Sequence, residues 1–292
     1  MIFLLQYITL FGNTYSSYSL TNWFNYIIVL IITILIRRRY NCNFIKALFV
    51  GLLTLAFGVF ALHATSNLEY DIMNILVKDG AFERYELTSS YGYWVFMSPL
   101  YLLFCAIFCV DFRKLTDYVT PSICIVASLG KLACFLDGCC EGPKDPNGIY
   151  MAKLGYKVFP VQLYETLLYG AVFILALVLT FTFSKKRTGY LMPISGMLYA
   201  VFKIWAEQYR TWPSELTNNF LNTGHNYWEY FELFSFIGCL IWLIGVIICD
   251  KKGKHPKFET NAFMRKVWKI KEELLTKLQN KFPKLKGKIS KD

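Results

Sequence analysis

Charge is scarce in this chain. Only 17% of its 292 residues are Asp, Glu, Lys or Arg, residues 1 to 36 carry none of these, and there are just three histidines. A soluble domain carries about 25% charged residues, whereas here hydrophobic types reach 55% and aromatics 18%. That balance excludes a soluble globular protein and predicts an integral membrane protein. No stretch repeats at a period of about 20–50 residues and no broken helices recur with inverted symmetry, which argues against repeat arrays and secondary transporters. No folded basic face carries interleaved aromatics, so no nucleic acid is expected as a partner. Shortage of histidine also weighs against metal: Cys134, Cys139 and Cys140 have no histidine at ligand spacing, and two of them are adjacent. Neither a metal nor another cofactor is expected.

The charge that is present is concentrated. The net charge is +11, and residues 250 to 292 hold fourteen Lys or Arg against five Asp or Glu, leaving the rest nearly neutral. Residues 1–250 therefore read as a transmembrane domain and 251–292 as a basic tail. In the tail, Val267, Ile270, Leu274 and Leu278 recur at spacings of 3, 4 and 4, up to Pro283. That pattern fits either a basic amphipathic helix on an anionic leaflet or a solvated lysine-rich tail. Of nine cysteines, Cys42, Cys105, Cys109, Cys124, Cys134, Cys239 and Cys249 lie in or beside apolar segments and read as small buried hydrophobes. Cys139 and Cys140 fall in a loop, where a bridge from Cys134 to one of them stays open.

The apolar runs predict an all-α, polytopic membrane fold of about seven transmembrane helices. Spans are expected at 18 to 36, 46 to 63, 94 to 110, 118 to 138, 163 to 184, 189 to 209 and 229 to 249, each near the ~20 residues a bilayer requires. Arg37 to Lys46 holds four basic residues, Lys185 to Arg187 adds three, and residues 64 to 93 hold five acids against two bases. This alternation predicts the N-terminus outside and the C-terminus inside. Ile2 to Phe11 is expected to be a short helix along the outer surface. Tyr227, Trp228 and Trp212, flanking the last two spans, read as interfacial belt residues.

Against this apolar background the polar residues inside spans stand out, and they collect toward the outer side. Lys131 lies near the outer end of the fourth span, ~12 Å below Cys139 at the helical rise. A cation there requires a partner, a wet cavity or an anionic ligand. Tyr199, Lys203, Glu207 and Arg210 sit at offsets of 0, 4, 8 and 11, which at ~100° per residue is one helix face. Two readings stay open. In one, Lys203 pairs with Glu207, Lys131 pairs with Asp137 or Glu165, and the charges only lock the bundle. In the other, Lys131, Lys203 and Arg210 converge on a phosphate near the loop from Gly138 to Pro160. Gln162 and Glu165, one turn apart after Pro160, suit binding of glycerol hydroxyls, orientation of the lysines, or helix capping. His63, His225 and His255 read as surface histidines.

These residues resemble the bacterial prolipoprotein diacylglyceryl transferases. The signature G-R-x-G-N-F-x-N-G is matched in frame by Gly130-Lys-Leu-Ala-Cys-Phe-Leu-Asp-Gly138, with Asp117 and Pro121 at the family spacing before it. P-x-Q-L-Y-E is complete as Pro160 to Glu165, and Y-G-x-x-R-F-x-x-E-x-x-R is matched by Tyr199, Lys203, Glu207 and Arg210. Lysines 131 and 203 stand where the family has arginine, Cys134 and Asp137 where it has asparagine. The family's paired glycines and histidine in the third span have no counterpart around Tyr93 to Pro99.

The resemblance implies transfer of a diacylglyceryl group from phosphatidylglycerol to the lipobox cysteine of prolipoprotein signal peptides, in the bacterial cytoplasmic (inner) membrane with the site toward its outer face. Membrane lipids and these peptides would be the partners. It casts Lys131, Lys203, Glu207 and Tyr199 as catalytic, and Arg210, Cys134, Asp137, Gly138, Gln162, Tyr164 and Glu165 as substrate-binding. Two other functions are weighed: a related transferase with a phospholipid donor and another acceptor, and a non-catalytic lipid-binding scaffold.

Overall fold

The computed structural model describes residues 7–10, 12–76, 93–108, 110–151, 154–182, 188–210, 223–253 and 273. Among these, helices dominate: α1 (Ser17–Ile36), α2 (Phe44–Leu76), α3 (Tyr93–Phe108), α4 (Phe112–Asp137), α5 (Val161–Thr182), α6 (Leu191–Glu207) and α7 (Tyr227–Lys251). Two antiparallel hairpins complete it, β1 (Tyr7–Leu10) with β2 (Asn13–Ser16) and β3 (Lys144–Met151) with β4 (Tyr156–Val158). The tail pattern from Val267 to Leu278, and Trp212 and His255, lie outside the described residues apart from residue 273 within that stretch.

Each expected span has a helix. Five of them, at Ser17–Tyr40, Phe44–Leu68, Phe112–Asp137, Val161–Thr182 and Tyr227–Lys251, are long and apolar enough to cross a membrane. The described part of α3 has 16 residues and α6 has 17, at the short end of what a span requires. The reason for α6 is its sequence: polar Ser195, Lys203 and Glu207 interrupt the apolar run, and all three are buried among other helices. Lipid-facing surface belongs to longer helices, through Ile27, Ile31 and Leu35 on α1, Leu167, Ile174 and Val178 on α5, and Phe234, Ile241 and Ile248 on α7. α4 is the central helix, with 56% of its apolar window buried against 22–28% in the other four.

Three boundaries differ from the sequence expectation for identifiable reasons. β1 occupies Tyr7–Leu10 where a surface helix was expected, because Gly12 supplies a turn and Thr9 and Thr14 pair across the strands. α2 continues to Leu76, past an expected end at residue 63, since neither Gly nor Pro interrupts the chain between Gly58 and Gly80. α4 starts at Phe112 rather than Tyr118: Asp111 caps it, its Oδ1 accepting from the amides of Arg113 and Lys114 at 3.1 and 3.3 Å.

The main core interleaves faces of α2 to α7. Trp94, Met97, Tyr101 and Cys105 on α3, spaced 3, 4 and 4, meet Leu115, Val119 and Ile123 on α4, Tyr169 and Val172 on α5, and Met192 and Tyr199 on α6. α1 docks on α4 through a contact between the Thr33 and Ser122 hydroxyls at 3.0 Å and a bond from the Tyr118 hydroxyl to the Thr33 carbonyl at 2.7 Å.

Asp117 does work that its sequence neighbourhood hides. It is fully buried on α4, yet its carboxylate accepts from the amides of Gly189 and Leu191 at 2.7 and 2.9 Å, so it caps α6 from another helix. Tyr190, the residue before α6, supplies no side-chain cap. Arg113 closes the same corner, donating to the Thr188 carbonyl at 2.7 Å and pairing with Asp250 at 2.6 Å, while the Tyr190 hydroxyl also donates to Asp250. Gly189 is required there: its φ is +89°, and a Cβ would lie 2.7 Å from Arg113 Nε. Asp117→Ala is expected to leave two buried donors unmet, at about 1–3 kcal/mol each, with Asp117→Asn intermediate because its amide still offers one acceptor. Thermal unfolding of the detergent-solubilised variants measures this ranking.

Candidate active site

At the opposite end of the bundle, α4 finishes, α5 begins and α6 finishes side by side, and the polar residues of all three converge. The centre is Glu165, in the first turns of α5 and with a side chain fully buried. Its Oε1 lies 3.4 Å from Lys203 Nζ and 3.5 Å from Lys131 Nζ, and accepts from the Tyr169 hydroxyl at 3.0 Å. Its Oε2 pairs with Arg210. Glu207 completes the arrangement, with its Oε1 3.2 Å from Lys203 Nζ and 2.6 Å from Arg210 Nη1.

These contacts form a closed ring: Glu165, Lys203, Glu207, Arg210 and back to Glu165. Two cations and two carboxylates balance within it, and Lys131 joins from α4 as a third cation. Burial grades the group. The Lys203, Glu165 and Glu207 side chains are 0% exposed, Arg210 is 3% exposed and Lys131 9%, so Lys131 stands at the accessible edge. Beneath the ring, Tyr199 stacks on Tyr169 with centroids 4.5 Å apart and Trp94 packs on Tyr199 at 5.9 Å. An aromatic floor excludes water and strengthens every charge above it.

The sequence face on α6 is thus assembled, and the two readings of it coincide in one object. Lys203 and Glu207 do pair one turn apart, and the three cations do converge. Between the candidate partners of Lys131, the ion pair forms with Glu165; Asp137, partly buried, ends α4. Gly138 then closes that helix with φ 73°, its amide donating to the Cys134 and Phe135 carbonyls. Gln162 donates through Nε2 to the Cys139 carbonyl at 2.6 Å, fastening the loop to α5, and its buried Oε1 has no partner among the described residues.

Tyr164 points away from the ring. It is 43% exposed and stacks on Phe159 at 5.2 Å, within a cluster that also holds Trp205 and Tyr209. Such a cluster is typical of the membrane-water boundary. Of the residues read as belt aromatics, Tyr227 is instead buried, packed on Trp228 and Phe231, because α7 begins against the protein rather than the interface. His63 is exposed on α2, and His225 lies at the surface with its Nδ1 2.6 Å from Glu229.

Three thiols lie beside Lys131. The sulfurs of Cys134, Cys139 and Cys140 are all within 4.8 Å of one another, and the described cysteines are free. In the loop, hydrogen bonds from Cys134 and Cys139 hold the Cys140 thiol well below its ordinary pKa, with Lys131 and Arg210 adding to the effect. Hydrogen bonding to Cys134 and Cys140 pushes Cys139 up. Sequence reasoning missed two further residues. Tyr169 was visible one turn after Glu165, and Glu232, fully buried on α7, was visible as an acid inside an apolar run.

The sequence profile of the prolipoprotein diacylglyceryl transferase family matches residues 18–248, reaching back to α1 and well before the motifs that first suggested it. A phosphatidylglycerol-prolipoprotein diacylglyceryl transferase of Clostridium tetani is 27% identical over 102 residues, covering 33% of this chain and 41% of the relative. A second such protein, from Clostridium perfringens, is 27% identical over 105 residues, again covering 41% of the relative and 34% of this chain. The aligned part therefore spans about two fifths of each curated relative's length. With the profile covering most of the helical bundle and the ring built from the motif residues, the chain belongs to the prolipoprotein diacylglyceryl transferase family.

Proposed function

We propose that this protein transfers a diacylglyceryl group from phosphatidylglycerol to the lipobox cysteine thiol of a prolipoprotein, releasing glycerol phosphate. The observation that carries this reading is the buried ring with Lys131 at its accessible edge. A phosphate approaching from the lipid side meets Lys131 first, backed by Lys203 and Arg210, which Glu165 and Glu207 hold in place. Fixed cations in a dry site stabilise charge developing on a departing phosphate far better than mobile water does. Tyr199 and Tyr169 form the floor, and the open acceptor on Gln162 suits a hydroxyl of the glycerol headgroup. Asp137, Gly138 and Tyr164 line the loop and aromatic rim through which substrates reach the ring.

The site is assigned to the outer face of the bacterial inner membrane in a seven-span, N-out arrangement. Arg37 to Arg39, Arg113, Lys114 and Lys251 lie at the helix ends remote from the ring, as expected where basic residues stay inside. In this layout α3 and α6 complete the crossing as the short members of the bundle.

Complementation tests the acceptor. In a bacterium depleted of its own lipoprotein diacylglyceryl transferase, expression of this chain is expected to restore growth and the mass increment of a diacylglyceryl group on a reporter lipoprotein. Absence of lipidation despite membrane expression would favour a transferase that keeps the phospholipid donor and modifies another acceptor. A silent lipid-binding scaffold would yield no lipid product with any acceptor.

A further inference from the structure

We propose that Cys134, Cys139 and Cys140 form a three-thiolate site for one zinc ion, whose fourth coordination position takes the acceptor thiol of the transfer reaction. The identity of that fourth ligand rests on the transferase reading; the ion site does not.

The local backbone is built to gather these sulfurs. Cys134 lies in the last turn of α4, and after Gly138 reverses the chain the Cys139 amide bonds back to the Cys134 carbonyl at 3.1 Å. Adjacent side chains in extended backbone point to opposite sides. Here Cys140 adopts φ 58°, uncommon for a residue with a Cβ, and this turn brings its sulfur to the same point as its neighbour's. Gln162 holds the loop in that shape through the Cys139 carbonyl.

Zinc bound at Zn–S distances of about 2.3 Å in tetrahedral geometry places its sulfurs ~3.8 Å apart, a small contraction from the observed cluster. Cys134 and Cys139 are partly buried and Cys140 is exposed, so an ion can reach all three. A disulfide would leave one of the three sulfurs unused. Zinc with three thiolates carries a charge of −1, and Lys131 and Arg210, which both act electrostatically on Cys140, compensate it.

The site supplies what the ring lacks. Neither described histidine, exposed His63 nor surface His225, belongs to the ring or to the thiol cluster. A thiol that coordinates zinc is deprotonated outright. Binding of zinc would release to water whatever protons the three thiols still carry, and the acceptor thiol would lose its own proton to water on becoming the fourth ligand. Its sulfur lone pair then forms the bond to the glycerol carbon, and the bond from that carbon to the phosphate oxygen breaks. The electron pair leaves with glycerol phosphate beside Lys131, and zinc keeps its oxidation state throughout.

The test is metal titration of the reduced, full-length protein in detergent. Zinc is expected to bind at one ion per chain, and cobalt at the same site to give thiolate charge-transfer absorption. Each of Cys134→Ser, Cys139→Ser and Cys140→Ser should weaken binding by more than the about 10–100-fold that loss of an outer-shell partner costs, while Cys42→Ser, in the remote α1–α2 connection, leaves it unchanged. A lipobox peptide should strengthen the cobalt-thiolate absorption, and its Cys-to-Ser counterpart should not. Equal binding by wild type and the triple serine variant overturns the site, as does a native disulfide among the three. An ion that binds without any response to the cysteine peptide overturns the fourth-ligand assignment. A response to the peptide without lipid product from phosphatidylglycerol overturns the transferase reading and leaves the zinc site standing.

Discussion

Glu165→Gln is expected to destabilise the bundle by about 3–5 kcal/mol, the cost of removing one partner from a buried ion pair. The substitution preserves shape and removes only charge, so Glu207 is left to balance Lys203 and Arg210 within the ring while Lys131 loses its ion pair with Glu165. Among the described ion pairs, Glu165 is the residue that joins all three cations. Tyr169→Phe provides the scale: it deletes one hydrogen bond to the same carboxylate and should cost about 0.5–1.5 kcal/mol. A second variant separates charge balance from packing. In Glu165→Gln with Lys203→Met the ring loses one charge of each sign, so the pair should be less destabilised than the sum of the single changes. Thermal unfolding in lipid-containing micelles measures all four. A Glu165→Gln protein no weaker than Tyr169→Phe would mean that the ring is not held by its charges.

Substituting the lysines should divide stability from chemistry. Lys131 pairs with one carboxylate at the accessible edge, and the ring closes without it. Lys131→Ala is therefore expected to fold nearly as well as wild type while transfer falls about 10²–10³-fold, the usual cost of losing one preorganised donor to a developing anion. Lys203 contacts both carboxylates and is 0% exposed, so Lys203→Ala should lose stability as well as activity. Lys131→Arg, which restores the residue the family signature carries, should retain most activity because a guanidinium still presents its charge to phosphate and adds a fork. Rates from labelled phosphatidylglycerol, read beside unfolding temperatures, give the division. Equal losses of both quantities in Lys131→Ala would assign that residue to the fold alone.

The membrane class, the helix positions and the one-faced pattern of Tyr199, Lys203, Glu207 and Arg210 were legible because each follows from a period along one helix. What the sequence did not disclose depends on how helices face one another. Glu165 read as one of two candidate partners for Lys131, or as a ligand for glycerol hydroxyls, and the rotation of α5 against α4 and α6 makes it the counterion of three cations. Asp117 read as a motif position, and only the packing of α4 against the start of α6 reveals it as a cap for another helix. The three thiols were visible, but their meeting required the left-handed turns at Gly138 and Cys140. The sixth span, expected at 189 to 209, is longer than α6 at Leu191–Glu207, because a run of apolar residues along the sequence does not show which of them face lipid and which face protein.

The central claim is that the ring edged by Lys131 is where a phospholipid gives up its diacylglyceryl group to a thiol. Purified protein in phosphatidylglycerol-containing micelles, given a lipobox peptide, should yield a diacylglyceryl thioether peptide and glycerol phosphate in equal amounts. Lys131→Ala should slow both products together. Lipidated peptide formed at the wild-type rate in both Lys131→Ala and Lys203→Ala, or no glycerol phosphate released alongside it, would contradict this account.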